Sequence, residues 1–377
     1  MNIIVITDTL DLGGGGVGTC VNDLCMAFAK NNHRILLAGV VDYQYKNDYM
    51  IETLCYSGVD VFNIGAKSRS EALLAFPKYV KKLREYMRKW SNNEPAICNV
   101  HLKMGVLYGA LASVGLNNIK CVETYHNTYH SYHLQCWALS PIIKKYICVS
   151  NTAKGEMHQR FKISNNRLIA IPNGIDRNLI RNSVITHKEK TENCLVLSVG
   201  RLSPEKNILT AIKAFRDIKE VSFKYIVIGD GPERQEADNL VTPRVELLGQ
   251  VSREEVLSYL SIADIVVMPS LWEGRSILML EAAAFDVPFI ISDVPGLREP
   301  FDAKPLGQNE PFRRTDFGYL VQTNNIDAYR NALVDFINNR EKHEEMRMSI
   351  RKMSENNDLS RVVEEYARVF QSVLFNH

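Results

Sequence analysis

Short apolar runs alternate with longer helix-patterned stretches along almost the whole chain, and they do so in two successive series. The first series places strands at 2–7, 34–41, 59–63, 96–100, 119–125 and 145–149, with helices at 17–31, 70–92, 104–115 and 151–161. The second places strands at 194–199, 223–228, 245–248, 265–268, 288–291 and 318–321, with helices at 206–219, 232–240, 253–261, 276–285 and 326–339. Apolar runs bounded by turns and separated by helices predict parallel strands buried on both faces. Two such series predict two doubly wound α/β units, and 377 residues are enough for two separate cores. The break falls near 173–193, where Asn173-Gly174 signals a turn and 181–193 is polar without periodicity. The expected organisation is a first domain over 1–173, a linker or hinge over 174–193, and a second domain over 194–358. A last helix over 359–377 is expected to return to the first domain.

The net charge of +2 hides an uneven spread. Residues 1–173 carry 19 Lys and Arg against 12 Asp and Glu, and the remainder carries 26 against 31. A basic first half is suited to an anionic surface or substrate, although chance asymmetry on solvated faces gives the same numbers. The near-neutral total and the lack of a recognition motif argue against nucleic-acid binding. None of the eight cysteines forms a CxxC pair, and most sit in apolar runs, which reads as buried thiols in a reducing compartment. No signal peptide is read ahead of Ile3-Ile4-Val5-Ile6, and no apolar stretch is long enough to cross a bilayer. The expectation is a cytoplasmic protein, either free or peripheral on the cytosolic face of a membrane.

Four features fall where strands end and helices begin, which is where ligands bind in doubly wound folds. The first is Gly13-Gly14-Gly15-Gly16-Val17-Gly18, whose glycines allow a phosphate to approach the backbone at a helix N-terminus. With Asp42 it satisfies the dinucleotide fingerprint and supports a dehydrogenase. However, Asp8 to Leu12 separate it from the strand, whereas the dinucleotide turn follows its strand at once. The second is Gly200-Arg201-Leu202-Ser203-Pro204-Glu205-Lys206, which puts two cations at a strand end and a helix start. A lysine there opposes the helix dipole unless an anion partners it, and Arg201 can grip two phosphate oxygens.

The third feature runs from Pro269 to Ala282 through Trp272, Glu273, Gly274, Arg275, Ser276, Ile277 and Leu278. A helix opening near Ser276 points the free N–H groups of 276–278 at an anion. Glu281 shares a helix face with Ile277 and Leu278, one turn below, where it is placed to accept from ribose hydroxyls. Its apolar flank means that its charge needs a partner. Glu273, on the loop, would reach the transferred group. The fourth feature is His101 at a strand end, followed by His126, His130 and His133 after strand 119–125. The Asn-Thr-Tyr content between the histidines favours a loop, and no carboxylate or cysteine sits close enough to complete a metal set. His126 is read as a hydrogen-bonding residue facing a donor sugar, with a metal site as the alternative. There is no DxD motif, so Arg201, Lys206 and helix N-termini are expected to neutralise a diphosphate without metal or other cofactor.

These residues resemble the retaining family-4 glycosyltransferases of the GT-B fold, in which two Rossmann-like domains face each other across a cleft. The resemblance spans nearly the whole chain and is densest over 194–299. It rests on Glu273-x7-Glu281, on Gly200-Arg201 with Lys206-Asn207, and on Gly229-Asp230-Gly231-Pro232. Further matches are Gly249-Gln250-Val251, Ala263-Asp264, Ile171-Pro172-Asn173-Gly174, the glycine loop containing Gly15 and Gly16, and His126. The resemblance implies a nucleotide-sugar donor, with UDP-sugar favoured over GDP-sugar, held mostly by the second domain. Arg201 and Lys206 would bind its diphosphate and Glu281 its ribose. Glu273 and the amides of Gly274 to Leu278 would hold sugar and phosphate, and the base would lie near Gln250-Val251. The acceptor, a glycan or lipid-linked saccharide of surface polysaccharide or glycolipid synthesis, would bind the first domain. Arg275 departs from the apolar or aromatic residue usual in the family.

The implied reaction is hexosyl transfer with retention. A retaining hydrolase needs two carboxylates roughly 5–5.5 Å apart, and the N-terminal motifs offer none for that role. Front-face attack is favoured, with domain closure about 173–193 excluding water. A GT-B-like epimerase, a phosphorylase and a catalytically inactive binding module are the remaining alternatives. Helix 77–90 carries six cations and one acid with an apolar stripe of Tyr79, Val80, Leu83, Tyr86, Met87 and Trp90. The stripe suits either an interfacial helix on anionic lipid or an ordinary helix covering the sheet.

Overall fold

The computed structural model describes residues 1–10, 16–41, 48–126, 133–184 and 193–375. The chain divides into two compact units, Met1–Gly174 with Leu359–His377, and Ile175–Asp358. The first unit is built on seven strands: β1 (Asn2–Thr9), β2 (Arg34–Val41), β3 (Val59–Ala66), β4 (Ala96–His101), β5 (Ile119–Tyr125), β6 (Ile143–Cys148) and β7 (Leu168–Ala170). Their spatial order is β3-β2-β1-β4-β5-β6-β7 and every pairing is parallel. The run Ile3-Ile4-Val5-Ile6 is wholly buried because helices cover both faces of the sheet, the condition under which a strand reads as continuous apolar sequence.

The second unit repeats the design with β8 (Cys194–Val199), β9 (Phe223–Ile228), β10 (Val245–Gly249), β11 (Ile265–Met268), β12 (Phe289–Ser292), β13 (Phe312–Thr315) and β14 (Gly318–Val321). The order is β10-β9-β8-β11-β12-β14-β13, parallel except for the antiparallel edge strand β13. In both sheets the order reverses beside the first strand of the unit, which creates the switch point where such sheets take ligands.

The last helix, Leu359–Phe375, lies against the first unit's helix Gly16–Lys30. Its Val362, Val363, Tyr366 and Phe370 join the core around Phe28, with Phe28 and Phe370 stacked at 5.8 Å. The stretch expected as a linker, 174–193, is not a plain connector in its described part. The helix Arg177–Asn182 belongs to the second unit, capped by the Asp176 carboxylate, and Arg177 and Arg181 both pair with Asp286. Those two arginines look solvated in sequence, and only the fold reveals their common carboxylate.

The helical stretch 70–92 divides into Arg69–Leu74 and Phe76–Ser91, with Ala75 between them and Pro77 in the first turn of the second. The apolar stripe of Phe76–Ser91 is spent on the sheet. Tyr79, Leu83, Met87 and Trp90 are buried in the core, with Val80 and Tyr86 packed beside them. That corrects the interfacial-helix reading, because a stripe already buried in protein is not available for insertion into lipid. Lys78, Lys81, Lys82, Arg88 and Lys89 face outward. Among the described residues no helix is long and apolar enough to cross a membrane. Because Leu83 is fully buried, Leu83→Ala is expected to cost about 2–5 kcal/mol, read as a lower urea midpoint at constant slope. A change near zero would show that the stripe does not hold the helix to the sheet.

Candidate functional site

The strands β8, β9, β10 and β11 run parallel, so the loops that follow them emerge on one edge of the second sheet. Arg201 and Lys206 follow β8, Gly231 follows β9, Gln250 and Val251 follow β10, and Glu273 to Leu278 follow β11. Arg201 and Gln250 are exposed, Gly231, Val251 and Leu278 half-buried, and Gly274 and Ile277 buried. The expected residues are therefore gathered on one rim by topology alone.

Lys206 does not start a helix. The helix Ile208–Phe215 begins after Asn207, which turns the chain at φ 53°. The anion that answers Lys206 within the chain is Glu273, whose Oε2 accepts from Lys206 Nζ at 2.6 Å. Their side chains are only 32% and 14% exposed, so the pair is shielded enough to outweigh an ordinary surface ion pair. The same two loops are tied by Leu271 N donating to Glu205 O at 2.9 Å and Asn207 Nδ2 to Pro269 O at 3.0 Å.

The helix Ile277–Ala284 opens where expected. Ser276 caps it, its hydroxyl accepting from Met279 N at 3.3 Å. Glu281 on this helix is buried, and its Oε1 accepts from Arg253 Nε at 2.8 Å. The partner demanded by an apolar flank thus comes from the neighbouring helix Arg253–Leu260. Ser252 caps that helix, its hydroxyl accepting from Glu255 N at 3.2 Å, and nothing in the sequence signals that Arg253 turns to Glu281. Arg275, grouped with the donor residues in sequence, is engaged by its own unit. Its NH2 group donates to Asn357 Oδ1 at 2.5 Å, and burial lowers its pKa to about 10.

Two glycines shape the rim through close approach. A Cβ on Gly231 would stand 2.3 Å from Leu202 O, locking the β9 loop against the β8 loop. A Cβ on Gly296 would stand 1.9 Å from Glu273 O and 2.7 Å from Gly274 O. Gly296 was not singled out in sequence. It matters because it lets the helix Pro295–Arg298 press on the backbone that carries Glu273.

In the first unit, His101 ends β4 and His126 follows β5. Both are buried, and His101 Nδ1 lies 3.0 Å from His126 Nε2. Burial pushes the His126 pKa down to about 4 and holds His101 well below the usual histidine range, so both rings are neutral at pH 7. Asp8, at the end of β1, accepts from the N–H groups of Met104 at 2.7 Å and Gly105 at 3.0 Å. Gly16 opens the first helix, while Gly13 to Gly15, Asp42 and His130 lie outside the described residues.

Two family models match the chain: Glycosyltransferase Family 4 over 14–179 and Glycosyl transferases group 1 over 181–353. An uncharacterized glycosyltransferase of Methanocaldococcus jannaschii is 30% identical over 201 residues, covering 52% of this chain and 50% of that protein. The Escherichia coli UDP-Gal:α-D-GlcNAc-diphosphoundecaprenol α-1,3-galactosyltransferase is 29% identical over 208 residues, covering 50% of each. The match thus spans half the length of both relatives. A crystal structure of Anabaena HepE in complex with UDP and glucose superposes with a TM-score of 0.79 at 17% identity, covering 99% of this chain and 100% of that one.

The Gly296 contact gives a direct test of how the rim is held. Gly296→Ala is expected to lose about 1–3 kcal/mol of stability in urea unfolding, because the obstacle is backbone that has no rotamer to change. Gly307→Ala, which meets only ordinary contacts to Glu310, is the control and should stay near wild type. Equal stability of the two variants would refute the role given to Gly296.

Proposed function

Since the chain belongs to the family-4 glycosyltransferases of the GT-B fold, we propose that it transfers a hexosyl group from a UDP-sugar to a lipid-linked or glycan acceptor with retention of configuration. The observation that carries this reading is the rim of the second sheet, where the pairs Lys206–Glu273 and Arg253–Glu281 stand on the loops and helices that follow β8, β10 and β11. Glu273 takes one of the three donors of Lys206, and the other two suit phosphate oxygens. Arg201, exposed on the same loop, supplies a planar fork for a diphosphate. Glu281, a carboxylate acceptor held in place by Arg253, is assigned to the ribose hydroxyls. The family also sets aside a dehydrogenase built on the glycine string.

In the proposed step the bond between the anomeric carbon and the leaving phosphate oxygen breaks, and its electrons go to the diphosphate. The acceptor hydroxyl oxygen bonds to that carbon from the same face, and its proton passes to the departing phosphate oxygen. Arg201 and Lys206 stabilise the charge that develops on the diphosphate, without metal. Glu273 and a neutral His126 hold the sugar hydroxyls, so that positioning and leaving-group stabilisation provide the rate enhancement. The resemblance to a transferase named for a diphosphoundecaprenol acceptor supports a lipid-linked acceptor here. Contact with an anionic membrane would then use the outward charges of Lys78, Lys81, Arg88 and Lys89 alone and weaken with salt.

The test is a panel of UDP-, GDP- and ADP-sugars scored by thermal shift and slow donor hydrolysis, in which UDP-sugars are expected to raise the melting temperature. Glu281→Ala and Lys206→Ala should each raise donor KM and lower kcat, reducing kcat/KM roughly ten- to a hundredfold as a charged hydrogen bond is lost. Near-wild-type kinetics in both variants would refute the assignment of this rim to the donor.

A further inference from the structure

The first unit contains a directed chain of hydrogen bonds that fixes which nitrogen of His126 carries a proton. Asn99 pairs with Val122 and His101 with Thr124 across the parallel β4–β5 ladder. Asn99 and His101 are two apart on β4, and Thr124 and His126 are two apart on and beyond β5, so a period of two brings them onto one face. Asn99 Nδ2 donates to Val122 O at 3.2 Å and to Thr124 Oγ1 at 3.0 Å. A backbone carbonyl only accepts, so the amide end of Asn99 must face it and the amide orientation is settled.

The rest follows by elimination. Asn99 Oδ1 lies 2.7 Å from His101 Nε2 and is an acceptor, so Nε2 of His101 carries a hydrogen. His101 is completely buried, which disfavours the imidazolium and leaves its Nδ1 as a bare acceptor. His126 Nε2, 3.0 Å away, must then be the donor. The same burial argument makes His126 neutral, so its Nδ1 is unprotonated.

We propose that Asn99 and His101 are positioning residues that hold His126 as its Nε2–H tautomer, so that it presents Nδ1 only as an acceptor. His126 therefore takes a hydrogen bond from a hydroxyl of the transferred sugar and does not donate one to it. A ring free to change tautomer would spend part of its time with an N–H aimed at that hydroxyl, losing the acceptor when it is needed. This role for His126 rests on the reading given under Proposed function, whereas the tautomer chain does not.

The closing experiment separates the two. Two-bond 15N–1H correlation spectra of the histidine-labelled full chain are expected to show the Nε2–H tautomer for both His101 and His126. An Nδ1–H tautomer at His126 would overturn the proposal whatever the enzyme does. Hydrolysis of UDP-glucose, UDP-galactose and UDP-N-acetylglucosamine is then followed in the sugar nucleotide that turns over fastest. His101→Phe removes the acceptor, should give mixed tautomers at His126, and is expected to lower kcat about tenfold, one hydrogen bond's worth, with donor KM within twofold. His101→Gln, which offers both an acceptor oxygen and a donor amide, should recover most of that loss and keeps the test open if the phenylalanine variant does not fold. A fall in kcat for His126→Ala beside unchanged kcat in a folded His101→Phe with scrambled tautomers would overturn the positioning role. Unchanged kcat in both, with the wild-type tautomers as stated, would instead sink the assignment of His126 to the sugar.

Discussion

The rim of the second sheet depends on one constraint: a carboxylate placed among apolar groups must be paired. Glu273 and Glu281 are both largely hidden from water, and each is answered by a cation from a different element, Lys206 and Arg253. Removing either partner would strand a charge, which costs more than the pair itself contributes. The four residues therefore cross-link the loop after β8, the loop after β11, the helix Arg253–Leu260 and the helix Ile277–Ala284. Those links settle side-chain rotamers during folding. Less ordering remains to be done when a ligand binds, which is how preorganised polar groups gain their advantage.

Close backbone approach provides the second support. Gly231 and Gly296 admit neighbouring backbone to distances no side chain would allow. Packing of this kind fixes the positions of the loops, while the ion pairs fix the directions of the side chains they carry. The arrangement places the site-bearing loops on the parallel strands of the sheet, which is the usual division of labour in doubly wound folds.

How much of this was legible in sequence follows from the range of each signal. The central strands were readable because burial on both faces makes them apolar throughout, as in Ile3 to Ile6 and Ile265 to Met268. β7, Leu-Ile-Ala, was missed because three residues are too short a run to stand out, and β13 because an edge strand need not be apolar. β13 reads Phe-Arg-Arg-Thr, and its two arginines are engaged by Glu310 and Asp335. The break at Ala75 was hidden because the apolar periodicity runs on through it, even though Pro77 marks a new first turn. Glu281 announced that it needed a partner through its flank. Arg253 could not announce that it was that partner, since nothing local distinguishes it from a solvated arginine on a helix start.

The same contrast explains why the class of donor was easier to read than the sugar. A diphosphate carries charge, and charge must be met by residue types that stand out at a strand end, as Arg201 and Lys206 do. Sugar hydroxyls are neutral and are met by neutral donors and acceptors, which any polar residue can supply. What makes such a residue specific is the direction of its hydrogen bonds, and direction is set by register. Asn99 and His101 illustrate this. Each alone is an ordinary polar residue on a strand, and only their pairing opposite Val122 and Thr124 turns them into a chain that ends at one nitrogen of His126. Recognition by charge is thus carried in residue type, and recognition by neutral hydrogen bonds is carried in the alignment of neighbouring strands.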